Sequence, residues 1–344
     1  MSISIPESMQ AVRLEEENGK LQVRELPVPK PGPGEVLVRM AASTINPSDI
    51  GFLYSTSGYS NRSLPVTPGI EGSGTVVAAG SGLLPNFLSG KRVACTRIGT
   101  RDGTWAQFLL TKASLCSPLK KDVSLENGAT LVVNPMTALA FFEIIRKGRH
   151  AAFVNTAAAS QLGRMLIRMA GKKGIPLINI VRRKEQSDLL RSLEAEYVLV
   201  SSDPDFDRQL KELTHRLNAT LFLDAIAGDF TQRLIDASPA GSLILLYSVL
   251  SQGPAKINPN SLWYFDRRVE GFILSIWASK QGFLKILRLT RQVQKLAHAD
   301  LATTFQERIP FTSVQDGLEL YQENMTAGKI LLVINPKEVS LQAK

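Results

Sequence analysis

The amino-acid sequence predicts an α/β protein in two parts: a β-rich, barrel-like domain formed by residues 1–126 with 279–344, and a doubly wound parallel-sheet domain over residues 127–278 inserted between them. Three observations predict this arrangement. Up to about Glu126 the chain is rich in Gly and Pro, and its apolar stretches are short and alternating, the pattern of closely spaced strands. From Asn127 onward, short apolar runs alternate with amphipathic ones; parallel strands need crossover connections, usually helical, so this alternation indicates a parallel sheet. Beyond Ile309 the pattern returns to one helix and one strand, which are expected to pack back on the first part.

In order, residues 35–40 (EVLVRM) and 74–79 (GTVVAA) read as strands, the first entered through the turn Pro31-Gly32-Pro33-Gly34. Residues 151–155 form a short apolar strand. Residues 160–173 follow as a helix, with Leu162, Met165, Leu166 and Met169 on one face. The alternation continues with strands at 176–181, 197–200, 220–225 and 242–247 and helices at 186–193, 206–217 and 230–237. Residues 269–276 (VEGFILSI) read as a further apolar strand, either near a sheet edge or in the interior, and 330–334 as the last strand.

The composition excludes several classes. With 344 residues and 44% hydrophobic content the chain is an ordinary globular one, long enough for two cores. It has no apolar run of membrane-spanning length, and MSISIPESMQ lacks a secretory signal, so a cytoplasmic location is expected. Cys95 and Cys116 form no CxxC pair and read as reduced thiols. The net charge of +9 comes from Lys and Arg scattered along helical segments; no basic run carries interleaved aromatics, and no specific nucleic-acid partner is expected. A phosphate-bearing cofactor or an acidic thioester carrier uses such local charge better.

The most informative stretch is Asn155-Thr156-Ala157-Ala158-Ala159-Ser160-Gln161-Leu162-Gly163, which joins the first strand of the sheet domain to its first helix. Dinucleotide-binding folds place a diphosphate there, against the N–H groups and partial positive charge of a helix N-terminus. Ala158 and Ser160 stand at the first two glycine positions of G-x-G-x-x-G, and Gly163 keeps the third. Small side chains still permit a tight turn, although any strand-to-helix turn favours them too. At the end of the second strand the sequence reads Val181-Arg182-Arg183-Lys184. An NAD site offers Asp or Glu near this point, whereas arginine accommodates a 2′-phosphate, so Arg182 and Arg183 indicate NADPH.

Asn46-Pro47-Ser48-Asp49, Pro68-Gly69-Ile70-Glu71-Gly72-Ser73-Gly74, Asn134-Pro135-Met136-Thr137-Ala138, the loop ending at Gly163 and Gly328-Lys329 occur in this order over nearly the whole chain. Together they resemble the medium-chain dehydrogenases/reductases, specifically the zinc-free quinone oxidoreductase and enoyl reductase branches. The resemblance implies a GroES-like barrel domain, a Rossmann domain, a cleft between them and a homodimer formed through the Rossmann sheets. It places Asn134, Thr137, Ala227, Tyr247 and Ser248 beside the nicotinamide, backbone groups of Phe272 to Leu274 at its carboxamide, and Lys329 near the cofactor phosphates. Asn46 stands where zinc-dependent members have a cysteine and Ile70 where they have a histidine, so no zinc is expected. Without a Lewis acid, a conjugated acceptor is the better substrate, since hydride adds to a carbon already electrophilic.

The catalytic candidates are Tyr59 and Asn46. In enoyl thioester reductases a tyrosine of the corresponding loop is held to protonate the carbon beside the carbonyl; Tyr59 matches best, with Tyr54 as competitor and an aromatic shield as the alternative reading. Asn46 either donates an amide hydrogen bond or closes a turn before Pro47. The function indicated is NADPH-dependent reduction of quinones or α,β-unsaturated carbonyls. The alternatives are an enoyl thioester reductase of fatty-acid synthesis and a catalytically idle, crystallin-like NADPH-binding protein acting by interaction.

Overall fold

The computed structural model describes residues 4–17, 19–54 and 62–340. The chain divides into two compact units, Met1–Asn134 with Thr290–Lys344, and Pro135–Leu289. These divisions lie further along the chain than the composition change suggested. Each falls within a long helix, where no break in composition marks it.

The first unit begins with β1 (Ser8–Arg13), β2 (Gln22–Pro27) and β3 (Glu35–Thr44), then α1 (Pro47–Leu53) and β4 (Glu71–Ala79). It continues through α2 (Leu83–Leu88), β5 (Arg92–Thr96), β6 (Phe108–Lys112), β7 (Cys116–Pro118), α3 (Leu125–Gly128) and the start of α4 (Val133–Gly148). Long β3 is the hub, because antiparallel β4, β6 and a C-terminal strand all pair with it. Its buried side chains Val36, Val38 and Met40 enter one core with Phe52, Trp105 and Leu332. Cys95 and Cys116 are register partners on β5 and β7 and are free thiols; burial pushes Cys116 up to about 12.

The second unit contains β8 (Ala152–Asn155), α5 (Gln161–Lys173), β9 (Leu177–Val181), α6 (Lys184–Ser192), β10 (Tyr197–Val200) and α7 (Phe206–Arg216). After these come β11 (Ala219–Asp224), α8 (Phe230–Ala237), β12 (Leu243–Leu246), α9 (Asn260–Trp263), β13 (Arg268–Gly271), α10 (Leu274–Ser279) and α11 (Phe283–Leu296). The six strands are parallel, in the order β10-β9-β8-β11-β12-β13. The sheet therefore grows from β8 in one direction and then from β8 again in the other. Interior β8 and β9 are buried at every position and are apolar but for Asn155 and Asn179, whereas edge strand β13 is mostly exposed. Each crossover helix covers a face with a stripe such as Phe206, Leu210 and Leu213.

Residues 269–276 depart from the expected strand. Pairing with β12 stops at Gly271, and the chain turns into α10. Ile273, Ile276 and Trp277 have helical spacing rather than alternation, which is the physical reason. At the end of the chain, β14 (Phe305–Pro310), α12 (Val314–Glu323), β15 (Lys329–Val333) and α13 (Pro336–Ser340) belong to the first unit, where β15 runs antiparallel to β3. No helix among the described residues is long and apolar enough to cross a membrane.

Candidate functional site

The strand order of the second unit reverses between β8 and β11, and in open parallel sheets ligands bind at the carboxyl ends of the strands flanking such a reversal. The β8–α5 loop lies there. Ala157 takes a left-handed backbone (φ 48°), and the Ala158 N–H bonds the Ile180 carbonyl at 3.1 Å, tying the loop to β9. Ser160 is the N-cap of α5, its Oγ accepting the Gly163 N–H at 3.1 Å. A Cβ on Gly163 would sit 2.1 Å from the Ala158 oxygen, so only glycine lets the first turn of α5 close onto the loop. Gln161 and Leu162 complete that turn and are buried. The helix end presents N–H groups and partial positive charge.

Arg182 and Arg183 follow the end of β9, the strand adjacent to β8, and both are exposed. Their backbone N–H groups are gathered by Gln186 Oε1, each at 3.1 Å, which fixes the turn into α6. On the other side of the reversal, Ala227 and Gly228 have φ of 60° and 62°. Tyr247 and Ser248 follow β12, and the Tyr247 ring packs 5.2 Å from Phe141, which lies 4.9 Å from Phe272. Loss of solvent pushes the Tyr247 phenol above its usual range, and the Asp224 charge adds to this. Phe272 is buried in the short link between β13 and α10, and Leu274, half-buried, is the first residue of α10. The loop, Arg182, Arg183, Ala227, Tyr247, Ser248, Phe272 and Leu274 thus all lie beyond the carboxyl ends of the strands of one sheet. Thr137 is buried in α4.

Sequence reasoning missed Thr156, the residue after β8, and Asp224, which ends β11; both are fully buried. The available signal was a lone carboxylate closing the apolar run LFLD just before a small-residue turn.

In the first unit, Asn46, Glu71 and Lys329 form a buried cluster at 0%, 0% and 1% exposure. Glu71 Oε1 takes Lys329 Nζ at 3.3 Å and Asn46 Nδ2 at 3.2 Å, while the Lys329 ammonium also donates to Asn46 Oδ1. Glu71 Oε2 accepts the Val132 and Val133 N–H groups at 3.0 and 2.8 Å, capping α4, whose second residue is the half-buried Asn134. Two expectations are corrected here. Asn46 does not offer its amide to a substrate: both amide atoms are engaged, and its extended backbone (ψ 156°) forms the N-cap before Pro47. Lys329 does not reach toward phosphates, because its ammonium is committed to the Glu71 carboxylate. Tyr59 lies outside the described residues; Tyr54 is exposed at the end of α1.

Zinc does not suit this cluster. The Lys329 ammonium already supplies the cation beside Glu71, and Asn46 is a poor zinc donor. His150, His215 and His298 are dispersed on Thr220, the Lys211 carbonyl and the Asp122 carbonyl. Among the described residues no group of three or more His, Cys, Asp and Glu could hold a metal ion.

Comparison with known proteins agrees with this architecture. Residues 32–121 match the alcohol dehydrogenase GroES-like domain, and residues 162–288 the domain described as zinc-binding dehydrogenase. A structure from Mesorhizobium loti, named for an NADPH:quinone reductase, superposes with a TM-score of 0.88 at 30% identity, covering 96% of this chain and 100% of that one. The chain belongs to the medium-chain dehydrogenase/reductase superfamily, in its quinone and enoyl reductase branch. The rat mitochondrial enoyl-[acyl-carrier-protein] reductase is 29% identical over 331 residues, 91% of this chain and 85% of the relative. The human protein of that name is 28% identical over 317 residues, 87% of this chain and 81% of the relative. These relatives are named as reductases, and the family is one of oxidoreductases.

Two predictions follow from the buried cluster. Lys329→Met leaves Glu71 charged and buried without its cation, so denaturant unfolding should show a loss of about 3–5 kcal/mol, with Glu71→Gln added to Lys329→Met recovering most of it. The second concerns Asp49, which is fully buried, accepts the Asn46 N–H at 2.8 Å and is raised by desolvation to about 6, with Arg97 and Lys329 pulling it back. A folded value above the unfolded one means that stability present at low pH is lost as pH rises from about 4 through 6, by about 3 kcal/mol. Asp49→Asn removes this loss while keeping an acceptor for Asn46. Its stability relative to the parent should therefore rise between pH 4 and pH 7, and a flat difference would contradict the assignment.

Proposed function

We propose that this chain is an NADPH-dependent, zinc-independent reductase of quinones and α,β-unsaturated carbonyls, 2-enoyl thioesters among them. The observation that carries the reading is the β8–α5 loop at the reversal of strand order, closed by Gly163, capped by Ser160 and flanked by exposed Arg182 and Arg183.

In this reading the first turn of α5 holds the diphosphate, and the Arg182 and Arg183 guanidinium groups hold the 2′-phosphate in bidentate fashion. Ala227, Tyr247, Ser248, Phe272 and Leu274 enclose the nicotinamide end, and the family resemblance adds Asn134 and Thr137. A bound NADPH supplies hydride. The electrophilic carbon of the acceptor takes it, and a proton completes the reduction, from Tyr59 where the acceptor is an enoyl thioester. The aromatic group of Phe141, Tyr247 and Phe272 excludes water beside the reacting end. The relatives named as enoyl-[acyl-carrier-protein] reductases and as an NADPH:quinone reductase support both acceptor classes. The two free thiols fit a reducing compartment such as the cytoplasm.

The test is oxidation of NADPH and NADH with naphthoquinones, small enones and crotonyl thioesters. NADPH should be preferred, and replacing Arg182 and Arg183 together by Ala should raise the NADPH KM ten- to a hundredfold while leaving that for NADH within about threefold. Equal losses for both coenzymes would refute the 2′-phosphate assignment. NADPH binding without turnover on any acceptor would favour the idle, crystallin-like alternative.

A homodimer through β13 is part of the same proposal. β13 has a neighbour on one side, β12, and its surroundings expose Trp263, Tyr264, Ile273 and Ile276. Antiparallel pairing of two copies about Val269 sets Arg268 opposite Glu270 of the second copy, in both directions. Sedimentation should show a dimer that Val269→Pro converts to a monomer, and a wild-type monomer would exclude this pairing.

A further inference from the structure

Resting on the cofactor reading above, we infer that Asp224, acting with Thr156, is the positioning residue of the dinucleotide site, locking the loops after β8, β11 and β12 into one geometry. Asp224 Oδ1 accepts the Ile226 N–H at 2.8 Å and the Ala227 N–H at 3.1 Å, and Oδ2 accepts the Thr231 hydroxyl at 2.8 Å. The Thr156 hydroxyl accepts the Ala225 N–H at 2.8 Å and directs its own proton at the Leu223 carbonyl (3.3 Å) or Asp224 Oδ1 (3.4 Å). The backbone closes the frame: Thr156 N–H to the Leu223 carbonyl and Tyr247 N–H to the Asp224 carbonyl, both at 3.0 Å. The carboxylate and the hydroxyl thus join the loops after β8 and β11, and the loop after β12 hangs from the Asp224 main-chain carbonyl.

Asp224 is fully buried and joins no ion pair among the described residues; two backbone N–H groups and a hydroxyl meet its charge. A carboxylate in that setting is costly unless its stronger hydrogen bonds are needed. The need is visible in the chain it holds. Ala227 has a φ of 60°, a conformation that disfavours any residue with a Cβ, and its N–H is one of the two that Asp224 grips. The carboxylate therefore maintains a strained turn that a weaker acceptor would release. Thr156 performs the matching task for Ala225. Neither side chain is offered to the cofactor; each acts through backbone that Ala227 and Tyr247 carry.

Three variants test this: Asp224→Asn, Thr156→Val and the conservative Thr156→Ser. Hydrogen exchange of the ligand-free protein reads the frame, and titration of NADPH fluorescence reads the site. Asp224→Asn and Thr156→Val should speed exchange of the amides of residues 225–227 at least tenfold, with interior β9 amides unchanged, and weaken NADPH binding ten- to a hundredfold. Thr156→Ser, which keeps the hydroxyl, should stay within twofold of the parent in both. Parent-like exchange and affinity in Asp224→Asn and Thr156→Val would overturn the inference alone, as would acceleration spread evenly over the sheet. A parent protein that does not bind NADPH would overturn the cofactor reading, and this inference with it.

Discussion

The approach of α5 to the carbonyl of Ala158 is the constraint on which the rest of the second unit depends. With 2.1 Å between that oxygen and any Cβ at position 163, the helix can start where it does only because Gly163 has none. That closeness puts the amino end of α5 directly over the end of β8, and it leaves Ser160 able to cap the helix through the Gly163 N–H. A larger residue would push the first turn outward and open the loop. The glycine pattern of a dinucleotide loop can therefore lose its first two members here without losing its shape. Ala157 accepts the left-handed conformation that a glycine would otherwise supply, at a cost of about 1–2 kcal/mol that the surrounding hydrogen bonds offset.

The first unit rests on a comparable substitution of one chemistry for another. Where zinc-dependent relatives place a metal cation among cysteine and histidine ligands, this chain buries the Lys329 ammonium between Glu71 and Asn46. A lysine cannot polarise a carbonyl as a metal does; here its ammonium meets the charge of the Glu71 carboxylate. Glu71 in turn accepts the N–H groups that open α4. The pair is bound so completely into the backbone on both sides that it reads as architecture, with neither charge left to face a ligand.

Much of this was legible in the sequence. The strands and helices of the second unit fall within a few residues of their expected places because their periodicity is strong and their ends carry caps, as at Ser160 and the left-handed Gly174. The tight turn between β8 and α5 was legible from small residues between a strand and an amphipathic helix. The resemblance set Lys329 near the cofactor phosphates; its burial could not be read locally, because it depends on a carboxylate 258 positions away in sequence. Residues 269–276 were misread because an apolar octamer does not declare its period until helical partners appear. Asp224 was overlooked for a related reason: its partners are backbone N–H groups, which no residue pattern announces.

Among the described residues there is no metal-suited ligand set, and this bears on which acceptors the proposed site would serve. An isolated carbonyl needs its oxygen neutralised while hydride arrives, and Lys329 and Asn46 are spent on each other and on Glu71. The developing charge then has to be carried by the acceptor itself. A quinone spreads it over a ring that becomes aromatic, and an enone or enoyl thioester spreads it over an enolate that a single hydroxyl can protonate. Both are acceptors for which positioning contributes more than electrophilic activation. In the proposed reading, the loops that Thr156 and Asp224 tie together supply positioning, and the acceptor's own conjugation supplies the rest.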